Sequence, residues 1–230
     1  MSRLLPLVSA SLLLFSACVP WHAAVEAGPR PITYVAIGAS DAVGVGTRDP
    51  EREGWVPRFY AQLPPGSSLA NLGVSGSLLS QALDQQLPVA LAARPDLVTV
   101  WLAVNDLNAR VPLERYGADL DRLLAALEAS GASVLVGNIP DVAQLPVYRG
   151  LDPALVRSHV DAWNEVIAAT AARHGAVLVD LHTSWRELAE HPEYVAADGF
   201  HPSAEGYARL AELFWSAFEA NGGPATTAHG

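Results

Sequence analysis

The chain of 230 residues contains no lysine; all 14 of its basic residues are arginine. That absence removes Schiff-base chemistry and the phosphate-gripping lysine of a P-loop. Positive charge is scarce altogether. The 24 acidic residues leave a net charge of −10, and no basic run occurs. A nucleic-acid binder needs a positive surface for phosphates, so that class is excluded. Cysteine is nearly missing too. Cys18 is the sole one, which rules out an intrachain disulfide, a cysteine-based zinc site and an iron–sulfur cluster. No stretch of the chain approaches the roughly 20 apolar residues of a membrane span. What is present is a chain 50% hydrophobic and 17% charged. That composition suits one medium-sized α/β or α-rich domain around a single core.

The N-terminus reads as a targeting segment. Arg3 precedes an apolar stretch from Leu4 to Phe15, and Ser16, Ala17 and Cys18 follow. These are the basic start, apolar middle and small-residue cleavage site of a secretory signal. Small residues before a lone cysteine resemble the lipobox of bacterial lipoproteins, with Phe15 in place of the usual leucine. On that reading residues 1–17 are removed, Cys18 is lipidated and anchors the chain to a membrane, and 18–31 form a tether containing three prolines. The alternatives are an ordinary cut near Ala24 or Ala27, giving a secreted protein, or an uncleaved anchor. Residues 32–220 then form the domain, and 221–230 a frayed tail.

Strand and helix patterns alternate along that domain. Short apolar runs at Ile32–Gly38, Ser68–Leu72, Leu97–Val104, Val134–Gly137 and Ala176–Leu181 suit buried parallel strands. Between them, helices are expected over Gly54–Leu63 and Leu78–Leu87, the latter stopped by Pro88. Apolar residues at steps of three and four mark three more: Leu113 to Leu127, Val156 to Ile167 and Tyr207 to Phe218. Such alternation implies right-handed crossovers and a parallel sheet covered on both faces. Ligands of such a sheet bind at the carboxyl ends of its strands.

Four segments at those ends carry candidate chemistry. Gly38-Ala39-Ser40-Asp41 follows the first strand, and its serine can present a hydroxyl at the sheet edge. Asn71-Leu72-Gly73-Val74-Ser75-Gly76 follows the second, where a glycine lets a backbone N–H approach a ligand closely. Ala103-Val104-Asn105-Asp106 follows the third, and the Asn105 amide can donate to a developing oxyanion. Asp198-Gly199-Phe200-His201-Pro202 precedes the last helix; an aspartate three residues before a histidine can fold back onto its ring and hold one tautomer. Taken singly, each segment reads equally as a turn or a helix cap.

Together and in this order they resemble the four blocks of the SGNH hydrolases, also called GDSL-type esterases and lipases. The resemblance runs from about Ile32 to Phe218. It implies a flavodoxin-like three-layer α/β/α sandwich with a five-stranded parallel sheet in the order 2-1-3-4-5. It also implies that Ser40 is the nucleophile, His201 the base and Asp198 the third member of the triad. The Gly76 N–H and the Asn105 side chain are then oxyanion donors. Two departures stand out: the first block has Ala39 and Asp41 where the family has aspartate and leucine, and the third has Ala103 for glycine.

The implied reaction is carboxylic ester hydrolysis through an acyl-enzyme, with a small-molecule ester as partner and no metal or organic cofactor required. The apolar loop Asp141–Leu151, with Val142, Leu145, Val147 and Tyr148, favours short- to medium-chain acyl esters, lysophospholipids or thioesters. Carbohydrate O-acetyl esters are the alternative, with Trp101 and Trp185 as candidate sugar-facing aromatics. Two further classes stay open: an extracytoplasmic lipoprotein that binds acyl or glycan ligands without turnover, and a metal-dependent hydrolase using His191, Glu193, Asp198 and His201.

Overall fold

The computed structural model describes residues 30–223. The leader, Cys18 and most of the tether lie outside them, as do residues 224–230. Five strands form one parallel sheet in the order β2-β1-β3-β4-β5. They are β1 Thr33–Gly38, β2 Ser68–Asn71, β3 Leu97–Trp101, β4 Ser133–Gly137 and β5 Val177–Val179. Every β3 residue is buried, because helices cover both faces of a central parallel strand.

Among the described residues ten α-helices connect and flank these strands: α1 Ser40–Val43, α2 Pro50–Glu53, α3 Trp55–Tyr60, α4 Leu79–Gln85, α5 Leu87–Ala92, α6 Val104–Asn108, α7 Leu113–Ala129, α8 Pro153–Arg173, α9 Leu181–Ser184 and α10 Ala204–Ala220. One layer is aromatic. Trp55 of α3 stacks on Phe214 of α10 with ring centres 4.3 Å apart, and Tyr34 of β1 and Trp101 of β3 pack against this layer from the sheet. In the other layer α7 meets α8 through Tyr116 and Trp163, 4.5 Å apart. The apolar stripe of α7 buries Leu120, Leu123, Leu124 and Leu127, each contributing about 1.5–3 kcal/mol of transfer free energy. The three-layer architecture and strand order expected from the resemblance are those observed.

Several element ends differ in detail. β3 stops at Trp101 rather than Val104, because Val104 already opens α6. The fifth strand is likewise shorter, since Leu181 begins α9. Pro88 does not end a helix. It sits in the first turn of α5, where its missing N–H leaves no bond unmade. Of the expected frayed tail, Asn221–Gly223 is held by N–H bonds from Asn221 and Gly223 to the Phe218 carbonyl and from Gly222 to that of Glu219.

Strand order reverses between β1 and β3, and the crevice at such a switch point lies beyond the strands' carboxyl ends. Ser40 leaves β1 there, and Asn105 lies just past β3.

Candidate active site

Ser40 is the first residue of α1, two residues after β1 ends. The turn is closed by Gly44 and Val45 N–H groups, each donating at 3.0 Å to the Ser40 carbonyl. The Ser40 side chain is nearly buried yet reaches His201: its Oγ lies 3.0 Å from His201 Nε2. On the other side of the ring, His201 Nδ1 lies 2.6 Å from Asp198 Oδ2. Asp198 Oδ1 meanwhile accepts the Phe200 and His201 backbone N–H groups at 2.9 and 3.0 Å. The aspartate therefore shapes the loop and orients the ring at once. Burial pushes its carboxyl up, but the imidazole and the two N–H groups outweigh that and hold its pKa below the ordinary value.

Two devices press this loop against α1. Gly46 has φ +106°, and a side chain there would run into the Pro202 carbonyl and the His201 side chain. Only glycine accepts both that backbone and that contact. Tyr207 of α10 donates its hydroxyl to the Val45 carbonyl at 2.7 Å.

The segment after β2 approaches the same place. Asn71 donates to the Ala42 carbonyl at 2.6 Å and accepts the Gly73 N–H at 3.1 Å, so the turn is locked to α1. Gly76 has φ +78°, and a Cβ there would meet nothing within 4 Å. Asn105 donates one amide hydrogen to the Ser77 carbonyl at 3.0 Å; its second remains for another acceptor. Asn105, Ala103, Ala39 and Asp41 line one cavity of about 10 Å³. That is room for about one water-sized atom group, the size of a carbonyl oxygen.

A second cavity of about 40 Å³ adjoins His201, walled by Trp101, Val142, Leu145, Trp185 and Phe200, with Asp41 on its edge. Burial raises the Asp41 carboxyl to about 6, against the attraction of His201. Both Trp101 and Trp185 are buried, so neither offers an open face for a sugar ring. His191 pairs with Glu193 at 2.6 Å and stacks on Tyr194. Among the described residues, no three His, Cys, Asp or Glu side chains gather as a metal-holding group.

All five expected site residues thus lie at one sheet edge, but in two sets: Ser40, His201 and Asp198 are hydrogen-bonded in series, and Asn105 is bonded to the residue after Gly76. Sequence reasoning missed what ties the two together. Gln86 is 3% exposed. Its carboxamide accepts the Gly38 N–H and donates to the Gly38 carbonyl, both at 3.0 Å, and also donates to Ser77 Oγ at 3.3 Å. A side-chain amide completes the ladder where β2 has already ended. The signal was available: Leu79, Ala82, Leu83, Gln86 and Leu87 form one buried stripe, and a glutamine on an apolar stripe needs partners. Asp106 was missed too. It accepts the Leu79 N–H at 3.1 Å, and burial raises its carboxyl to about 6.

Known proteins resemble this chain in sequence and in fold. An acetylxylan esterase of Geobacillus stearothermophilus is 25% identical over 174 residues, covering 70% of this chain and 75% of that protein. The crystal structure of TesA superposes with a TM-score of 0.66 at 25% identity, over 82% of this chain and 98% of that one. LAE5, an alpha/beta hydrolase enzyme from the metagenome of Lake Arreo, Spain, superposes with a TM-score of 0.67 at 22% identity, over 82% and 95%. The model of the GDSL-like Lipase/Acylhydrolase family matches residues 36–209. With that match spanning the sheet edge and all four blocks, the chain belongs to the GDSL-like Lipase/Acylhydrolase family and is a carboxylic ester hydrolase.

Proposed function

We propose that this enzyme cleaves short- to medium-chain acyl esters through a Ser40 acyl-enzyme, with His201 as the base and Asp198 as its orienting partner. The observation that carries the reading is the continuous series from Ser40 Oγ to His201 Nε2 at 3.0 Å and from His201 Nδ1 to Asp198 at 2.6 Å. A serine hydroxyl is a weak nucleophile until an adjacent base takes its proton. His201 accepts that proton as Ser40 Oγ bonds to the ester carbon. The carbonyl oxygen becomes an oxyanion, met by the Asn105 amide and by the Gly76 and Ser40 N–H groups. Each such donor is worth roughly 3–4 kcal/mol of barrier. The imidazolium returns its proton to the leaving alcohol, and the acyl group stays on Ser40. Water then attacks the acyl carbon as His201 takes its proton, and the acid leaves when Ser40 Oγ is reprotonated.

The small cavity beside His201 supports a short acyl group. A separate, wider groove is the candidate for a longer chain. Asn108, one helical turn after Asn105, accepts the Tyr148 hydroxyl at 2.8 Å, and beyond it Leu107, Val111, Tyr148, Leu151 and Leu155 line a wider groove. Lysophospholipids and thioesters fall within the same reading. Carbohydrate O-acetyl esters form a second one, favoured by the likeness to an acetylxylan esterase. Fluorophosphonate labelling and an ester panel spanning acyl lengths, lysophospholipid and acetylxylan test both. Ser40→Ala abolishes labelling and turnover, and substantial turnover by Ser40→Ala refutes the mechanism.

The extracytoplasmic location is a proposal from the Arg3–Cys18 segment, and its lipid anchor a proposal from the place of Cys18 within it. Two or three acyl chains anchor stably, whereas one is marginal. Intact mass of membrane-extracted protein tests it, and a mature N-terminus beyond Cys18 overturns it.

A further inference from the structure

Asp41 replaces the family's usual leucine directly after the nucleophile, and the mechanism above does not use it. Asp41 lines both cavities next to the nucleophile, the water-sized one beside Asn105 and the larger one beside His201. No ion pair or side-chain hydrogen bond engages its carboxyl among the described residues, although the His201 ring attracts it through space. The neighbouring carboxylates are differently placed. Asp106 is capped by the Leu79 N–H, and Asp198 accepts three donors. His201 cannot serve Asp41, because Asp198 and Ser40 occupy its two nitrogens. A half-buried carboxyl beside the largely apolar walls of the larger cavity is costly to leave unmatched. Water can supply the donor in the empty enzyme. An apolar group seated there would displace that water and leave the carboxyl bare, whereas a hydroxyl would replace it.

We propose that Asp41 is a specificity residue that selects esters bearing a hydrogen-bond donor, a hydroxyl or an ammonium, within one or two atoms of the ester group. This deepens the proposed function and rests on it, since the cavities matter only if Ser40 is the nucleophile. The donor can sit on either side of the ester, and two pairs of equal size separate the cases. Ethyl glycolate and ethyl propionate differ by OH for CH₃ on the acyl side. 2-Hydroxyethyl acetate and propyl acetate differ in the same way on the alcohol side.

The experiment measures kcat/KM for all four esters, each normalised to its alkaline hydrolysis rate. In the wild type the hydroxyl member of at least one pair is preferred by about tenfold to a hundredfold, the span of a hydrogen bond to a charged acceptor. The pair that discriminates names the side. Asp41→Leu brings that ratio to within about twofold of unity or inverts it. Asp41→Asn keeps an accepting oxygen without charge and gives an intermediate ratio, so the result stands if the leucine variant fails to fold. Ratios near unity for both pairs in the wild type overturn the proposal, as does a preference that survives both substitutions. Hydrolysis persisting in Ser40→Ala would instead overturn the catalytic reading. Ser40-dependent hydrolysis with flat ratios overturns only the role of Asp41.

Discussion

Replacing Asp198 with asparagine separates orientation of the base from construction of its loop. Asp198 Oδ1 holds the Phe200 and His201 N–H groups, and Oδ2 holds the ring. In Asp198→Asn the amide oxygen can keep both backbone bonds. The amide NH₂ then faces His201 Nδ1 and favours the tautomer with its proton on Nε2, which cannot accept from Ser40. A fully buried triad aspartate is worth about 10⁴ in kcat. The Asp198 side chain is 45% exposed, so water screens its charge and the expected loss is smaller, roughly 10²–10³, or about 3–4 kcal/mol of barrier. Its depressed pKa sets the pH behaviour. A carboxylate stabilised in the fold stays charged above its ordinary range and loses that charge only as pH falls through the lowered value. Asp198 should therefore stay ionised from pH 6 to 9 and add no titration of its own to the wild-type rate there. Steady-state kinetics on a soluble short-chain ester, beside thermal unfolding, make the assay. Asp198→Ala, which drops the two backbone bonds as well, should melt lower than Asp198→Asn. Near-wild-type turnover by Asp198→Asn would refute the orienting role, as would a loss that tracks its unfolding.

Three further expectations follow from the same geometry. Asn105→Ala should lower kcat by roughly 10²–10³ with KM little changed, because the donor meets charge that exists only after attack; a variant that loses affinity but keeps kcat would make Asn105 a substrate-binding residue. Leu145, buried on the cavity wall, and Val147, 56% exposed, should behave differently. Leu145→Ala should shift the ester profile toward longer acyl chains and cost about 2–5 kcal/mol of stability, while Val147→Ala should leave stability nearly unchanged; a profile unmoved in both variants would make the loop purely structural. Asp106, raised to about 6 in the fold, is most stabilising while protonated and costs up to about 3 kcal/mol as pH rises from 4 through 6. Asp106→Asn should thus gain melting temperature relative to wild type at pH 7.5 but not at pH 4, and an equal difference at both would show that the carboxyl ionises freely.

The alternation of strands and helices and a parallel sheet covered on both faces were legible in the amino-acid order, and they rest on short-range physics, since apolar periodicity marks the elements. Glycine, serine or asparagine at a strand's end marks places where a parallel sheet opens to ligands, but each such segment reads equally as a turn or cap, and it was the resemblance to the SGNH hydrolases that singled out the five candidate site residues. The fold of the Asp198 loop was readable from short-range physics, since three residues suffice to fold a carboxylate onto a ring. Tertiary structure decided the rest. Ser40 and His201 stand 161 positions apart, and only the docking of α10, with Tyr207 on Val45 and Gly46 under Pro202, brings them to hydrogen-bond distance. Gln86 looks like one more helix residue until the fold brings its carboxamide to the Gly38 N–H at the end of β1. Pro88 reads as a stop because local propensity cannot see that a second helix begins there. Asp41 can be noticed in a sequence as an odd neighbour of the nucleophile. That no ion pair or side-chain hydrogen bond engages it among the described residues, and that it lines two cavities, depends on which groups the fold brings near and which it has already engaged.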